Sequence, residues 1–227
     1  MKRNLFTLTE LLVSIGIIVI LAAILVPVVG GALGKAEVAK TKASITTLMN
    51  AIKQYESTYH KLPLPKDYDE NDIIGNGSSS SSGDDKKSYD RYVWLIELLQ
   101  GNESPSNGGT YGTQLEKNPR KIQFLDIQGN NPGEFKDAWD NNFRIILDKN
   151  YKGKLIEPNI PGLSDNDWKK ESSKAVLYYD IVIWSVGPDG EFEAGSTDSN
   201  RSKPENEDNI YSFNTGWNSK DGHHVQR

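Results

Sequence analysis

The chain contains no cysteine. Disulfides, thiolate metal sites and a cysteine nucleophile are therefore excluded, and any exported domain must be held together by packing or by an oxygen-ligated ion. A basic excess is also lacking. No basic block follows Lys2 and Arg3, and the net charge is −5, so nothing is built to neutralise a nucleic-acid backbone. Catalytic signatures are missing as well. There is no Gly-x-Ser-x-Gly, no His-Glu-x-x-His and no carboxylate pair in a defined setting, so an enzyme is not expected. His223 and His224 are adjacent in the polar tail KDGHHVQR, where solvated side chains are the rule. His60 stands where a helix should end and reads as its cap. Asn76, Asn102 and Asn200 open Asn-x-Ser patterns of the kind that a chain rich in Asn and Ser produces by chance.

One further absence is informative. Residues 11 to 34 carry no charge, and Ser14 is the only conventional polar side chain among them. About 20 such residues cross a bilayer as a helix. A cleaved secretory signal also has a basic start and an apolar core, but its core is shorter, about 7–15 residues, and this one runs on through Pro27. The expected reading is a single-pass membrane helix. The basic start argues for an N-terminus in the cytoplasm, whereas Lys35, Lys40 and Lys42 stand on the far side with Glu37 offsetting one of them. At the mouth of the apolar run sits one carboxylate, Glu10. On an arbitrary membrane helix it would snorkel to water.

The helix is expected to continue beyond the membrane. Ala39, Ala43, Ile45, Leu48, Ile52, Tyr55 and Tyr59 recur at helical spacing, which predicts an amphipathic half over 35–62. Pro27, with Gly30, Gly31 and Gly34 after it, predicts a kink or partial unwinding. Leu62-Pro63-Leu64-Pro65 predicts the end. GNGSSSSSGDDKK then reads as a flexible loop over 75–88; no strand precedes it and no Gly-Lys-Ser/Thr follows, so a phosphate loop is disfavoured. DRYVWLIELLQG predicts a short second helix, capped by Asp90 and stopped by Gly101. Strands are predicted at Phe143–Leu147, Leu177–Val186 and Asn209–Phe213. In the second, Leu177, Tyr179, Ile181 and Ile183 would share one face. The fold class that follows is α+β, with a helical spine laid across a small antiparallel sheet.

Several of these stretches together resemble a known family. FTLTELLVSIGIIVILAAILVP (Phe6 to Pro27) is similar to the N-terminus of type IV pilins and type II secretion pseudopilins, in which a short basic leader precedes an aromatic start, Thr, Leu, a carboxylate and an apolar helix. ITTLMNAIKQYESTYHKLP (Ile45 to Pro63) looks like the pseudopilin spine. GEFKDAWDNNFRIIL (Gly133 to Leu147) resembles the Asp-Pro-Trp-Gly-Asn-Pro-Tyr stretch of the major, G-type pseudopilin, with Ala138, Asp140 and Asn142 in place of Pro, Gly and Pro. WSVGPDG (Trp184 to Gly190) and EDNIYSF (Glu207 to Phe213) are similar to that subunit's Gly-Ala-Asp-Gly loop and closing strand. The family's leader ends in Gly, and here Leu5 stands there instead. The Ser-rich loop and the insert from Glu193 to Glu207 are also longer than in the G-type subunit.

The resemblance implies a leader over 1–5, a transmembrane half of the spine over 6–34, the amphipathic half over 35–62 and a pilin-like globular domain over 63–227. It implies an inner-membrane protein with its C-terminal domain in the periplasm. The chain would assemble with itself and with minor pseudopilins into a type II secretion pseudopilus, after handling by a prepilin peptidase and an inner-membrane assembly platform. It implies that Glu10 pairs with the Phe6 amine of a neighbouring subunit. It also implies a Ca²⁺ site at Asp189 and Asp208; from spacing alone Asp189 is as well read as a simple turn residue, and Asp198 is a third carboxylate without a family match. The alternatives are a type IV pilus subunit for adhesion, motility or DNA uptake, and an anchored binding domain that never polymerises. The N-terminus is directly testable. Cleavage after Leu5 and N-methylation of Phe6 are expected in an N-terminal mass spectrum of the membrane-extracted protein, and Leu5→Gly should be processed at least as well. An intact Met1, or a start elsewhere, would overturn this expectation.

Overall fold

The computed structural model describes residues 7–70, 72–127, 133–156, 160, 169–171, 174–191 and 209–212, with side chains described at all of these except 24–32, 169–171 and 174–175. The chain is α+β and divides into two compact units, Met1–Ala39 and Lys40–Arg227. Helix α1 spans Leu8–Tyr59. Of the kink or partial unwinding predicted at Pro27, the unwinding is not present, because the helix continues through it. A proline removes one hydrogen bond, and a helix this long has many others to hold it.

In the first unit, every large apolar side chain from Leu8 to Leu21 is more than half exposed. Among the described residues, no helix is long and apolar enough to cross a membrane. The apolar run expected to do so passes through 24–32, whose side chains lie outside the described residues.

Within the second unit the rest of α1 buries a stripe. Thr41, Ile45, Leu48, Ile52 and Tyr55 alternate steps of four and three and are all buried, joined by Ala51. This is the a/d-type seam of a helix packed on one side. Ala39 and Ala43, which the sequence pattern places on that face, are exposed. The helix ends at Tyr59, three residues before the predicted boundary at 62. His60 takes up the left-handed conformation, φ 55°, and its N–H donates to Glu56 O at 2.7 Å. That residue therefore ends the helix through its backbone, as a glycine commonly does.

Helix α2 spans Gly83–Leu99, so the last part of the segment expected as loop over 75–88 is helical. Asp90 is not its cap; it lies inside the helix and pairs with Lys86. Asp84 and Asp85 in the first turn favour a helix start through the macrodipole. The other end is as predicted, with Gly101 at φ +76° just beyond Gln100. The bend that leads into this segment requires glycine. Gly75 has φ +100°, and a Cβ there would come within 2.0 Å of Phe143 O. Short helices α3 (Gly108–Tyr111) and α4 (Gln114–Lys117) follow. Trp94 Nε1 donates to Gly112 O at 2.8 Å, and Tyr55 and Tyr59 donate to Lys117 O and Asn118 Oδ1, each at 2.6 Å. These bonds tie this connection to both longer helices.

Two three-stranded antiparallel sheets follow rather than one. The first has order β1 (Arg144–Leu147), β5 (Ile181–Ser185), β6 (Ile210–Tyr211); the second has β2 (Leu155–Ile156), β4 (Lys174–Leu177), β3 (Lys169–Glu171). Ile145 pairs with Ile183 and Arg144 with Trp184, while Ile74 adds a bridge to Ile145 on the outer edge of β1. The run predicted as one strand from Leu177 to Val186 is cut in two. Tyr179 N–H turns back to Leu177 O at 2.9 Å, and Lys53 on α1 grips the Asp180 carboxylate. Leu177 and Ile181 consequently belong to different sheets.

Every described residue of β1 and β5 is buried, so the first sheet is covered on both faces. One cover is the second sheet: Ile146, Val182 and Trp184 cluster with Leu155, Leu177, Ile160 and Tyr211. The helices carry many of the remaining buried apolar side chains, among them Leu48, Ile52, Trp94, Leu95 and Leu98.

Candidate functional site

Two places in the described structure stand out, one in each unit. The first is the start of α1. Thr7 N–H and Thr7 Oγ1–H both donate to Glu10 Oε2, at 2.8 and 2.7 Å, while Glu10 N–H donates back to Thr7 Oγ1 at 3.3 Å. This reciprocal arrangement is a capping box, which satisfies amide donors that the first turn of a helix otherwise leaves open. Its signal was in the sequence as Thr-x-x-Glu ahead of an apolar run. Glu10 Oε1 accepts no hydrogen bond from the described residues, so one carboxylate oxygen remains for a partner. Leu5 and Phe6 lie outside the described residues.

The second place is the junction between the turn Asp137–Asn142 and the end of β5. Asp137 is 5% exposed. Its Oδ1 accepts from Trp139 N–H and Asn141 N–H, both at 2.9 Å, and its Oδ2 accepts from Ser185 Oγ–H at 2.6 Å. Ser185 Oγ accepts in turn from Gly187 N–H, and Asn141 Nδ2 donates to Gly187 O. Ala138 N–H donates to the buried Thr41 Oγ1 of α1 at 3.2 Å. One carboxylate thus joins two loops and, through the next residue, the helix. Neither Asp137 nor Thr41 stands out in the sequence as a site residue; the pattern that marks Asp137 is Asp-x-x-x-Asn in a turn between polar residues.

Asp189 projects from the turn that begins at Gly187. It is exposed, and its Oδ1 accepts from Glu191 N–H at 2.9 Å, so it shapes the turn as an aspartate commonly does. Asp208 and Asp198 lie outside the described residues, as do His223 and His224. Among the described residues no cluster of three or more His, Asp or Glu side chains stands ready to hold a metal ion. Asp189 alone falls far short of the six to eight oxygens that calcium takes.

No family model, no curated protein and no solved structure matches the chain.

The Asp137 junction gives a clear expectation. Asp137→Ala leaves two backbone N–H groups and one buried hydroxyl without their acceptor, which should cost on the order of 3 kcal/mol or more. Asp137→Asn keeps an oxygen for the two N–H groups and should cost markedly less. Urea denaturation of both variants checks this, and an alanine variant within about 1 kcal/mol of the native chain would show that the junction is dispensable.

Proposed function

We propose that the chain is a pseudopilin, the structural subunit of a type II secretion pseudopilus, most like the G-type major subunit. The observation that carries this reading is the head of α1. A capped carboxylate with one oxygen open stands at the start of a helix whose large apolar side chains from Leu8 to Leu21 are more than half exposed. Apolar surface on that scale marks a membrane or protein contact. In this reading the apolar run crosses the inner membrane before assembly and lines the filament core after it.

The Asp137 turn supports the same reading. Asp137, Trp139 and Asn141 are the residues that the G-type stretch also has, and all three take part in the junction. Asp140 stands where that stretch has glycine, and its φ is +71°, the left-handed region that glycine enters freely and Asp tolerates. The substitution thus preserves the backbone conformation that glycine would supply.

Glu10 then has two tasks. Oε2 closes the cap and Oε1 meets the Phe6 amine of a neighbouring subunit. A lone carboxylate costs about 2.5–3.5 kcal/mol at the centre of a bilayer and less near its edge, which drives it toward a cation. Glutamine separates the tasks, because a capping box accepts Glu or Gln. Glu10→Gln should keep the helix start and insert into membranes, yet form few or no filaments in an assembly assay. Wild-type filament yield from Glu10→Gln would mean that the cap is the whole of its role.

Calcium at Asp189 and Asp208 belongs to the same proposal and rests on the resemblance. An ion bound only to the folded state adds RT ln(1 + [L]/Kd), roughly 2.7 kcal/mol at a hundredfold excess. The full chain should melt higher in millimolar Ca²⁺ than in chelator, with Mg²⁺ a poor substitute because it demands a tighter octahedron. Asp189→Ala should erase most of the difference. Equal melting temperatures in calcium and chelator would leave Asp189 as a turn residue alone.

A further inference from the structure

An open cleft of about 880 Å³ lies among the serine turn, the Asp137–Asn142 turn and the Gly190–Glu191 bend. That is the size of the larger small-molecule sites. Its composition excludes several kinds of ligand. Side-chain amides, carboxylates and hydroxyls make up most of the lining, and Tyr89 is its one aromatic ring among the described residues, so a lipid or apolar molecule finds little wall to lie on. Polyanions are disfavoured as well. Lys136 is paired with Asp140, and Arg144 donates to Gly75 O and Asn142 O at 2.6 and 2.7 Å. Asp85 and Glu191 on the same walls repel negative charge.

What remains is a set of planar polar groups, of which Asn76, Asp85 and Asn141 are already fixed by one hydrogen bond and keep a second atom to offer. Asn76 Nδ2 donates to Asp85 Oδ1 at 2.6 Å, which leaves Asn76 Oδ1 and Asp85 Oδ2 unengaged among the described residues. Asn141 is held through Nδ2 on Gly187 O at 2.8 Å, which leaves its Oδ1. A Cβ at Gly190 would come within 3.2 Å of that oxygen, so glycine keeps it open. Asn142 lines the cleft, and its side chain makes no hydrogen bond with the described residues. Groups held in advance lose little entropy when they bind. Neighbouring hydroxyls on one ligand both donate and accept, and carboxylate and amide pairs answer both needs.

We propose that this cleft is a carbohydrate-binding site. It takes a short neutral oligosaccharide, hydrogen-bonded by Asn76, Asp85, Asn141 and Asn142, with the Tyr89 ring as the wall for an apolar sugar face. The site does not depend on whether the chain forms filaments.

The test is calorimetric titration of the full-length chain, kept in a zwitterionic detergent without a sugar headgroup and with EDTA present, so that neither detergent nor an ion at Asp189 contributes. The probes are maltotetraose, cellotetraose and tetra-N-acetylchitotetraose. At least one should bind saturably, and Asn142→Ala and Tyr89→Ala should each weaken it by about tenfold or more. Asn142→Ala removes no hydrogen bond within the described structure, so its melting temperature should match the native chain and report on binding alone. Absence of saturable binding by all three probes overturns the proposal. So does binding that Asn142→Ala leaves unchanged.

Discussion

The buried carboxylate of Asp137 is the contact on which the second unit turns. A carboxylate removed from water is tolerable only where hydrogen bonds replace its hydration, and here three donors do so. Each donor comes from a different piece of backbone geometry: the turn's own Trp139 and Asn141 amides, and the Ser185 hydroxyl at the end of β5. The turn therefore cannot shift without breaking its hold on the sheet. Because Ala138 N–H reaches Thr41 Oγ1, the same turn also fixes the register of α1 against the loops. Thr41 is fully buried, which in an otherwise apolar seam would be unfavourable had its hydroxyl no such donor to accept from. A polar residue in the seam thus specifies one position along the helix where apolar residues alone would permit several.

Much of this was legible in the sequence where side-chain periodicity is strong. The seam of Ile45, Leu48, Ile52 and Tyr55, the stop at Gly101 and the strand β1 all follow from pattern. The failures have physical causes. Leu177 to Val186 has the composition of one strand, yet Asp180 sits inside it, and a partner remote in sequence, Lys53, holds that carboxylate at a break between two sheets. Local propensity carries no information about Lys53. The start of α2 was hidden for a similar reason: Gly83, Asp84 and Asp85 are weak helix formers, and what anchors them is tertiary, with Asp85 bonded to Asn76 and Ser88 to the backbone at Ile73. Strands β2 and β3 are short and pair only with β4, so no periodic signal marks them. Of the candidate site, Glu10 and Asp189 were legible as individual residues. Thr7, which determines where the Glu10 carboxylate lies, was legible only as half of a capping box.

That box changes how the carboxylate at the mouth of the apolar run is understood. An exposed acid at a helix N-terminus is stabilised by the open amides and the macrodipole whether or not the chain ever meets a partner. Local structure thus accounts for the presence of Glu10 in a single chain, and it accounts for only one of the two oxygens. Thr7 holds Oε2 twice, through its amide and its hydroxyl, and thereby restricts the side chain to one rotamer. A charge fixed in one orientation binds a cation at lower entropic cost than a freely rotating one. The cap and an intermolecular pair are therefore complementary, since the first prepares the geometry that the second would use.

The same logic of fixing polar groups in advance runs through the second unit. The serine turn closes on itself, with Ser78 N–H on Ser81 Oγ and Ser81 N–H on Ser78 O. Gly75 bends the chain so that its carbonyl meets Arg144, a guanidinium whose burial lowers its pKa to about 10. It therefore stays cationic at neutral pH while buried, a state that requires carbonyl acceptors close by. Gly75 O and Asn142 O meet that requirement, and in doing so they bind the serine turn to the Asp137 turn across β1. Arg144 and Asp137 thus hold in place, through backbone groups, the turns whose Asn76, Asn141 and Asn142 side chains line the cleft.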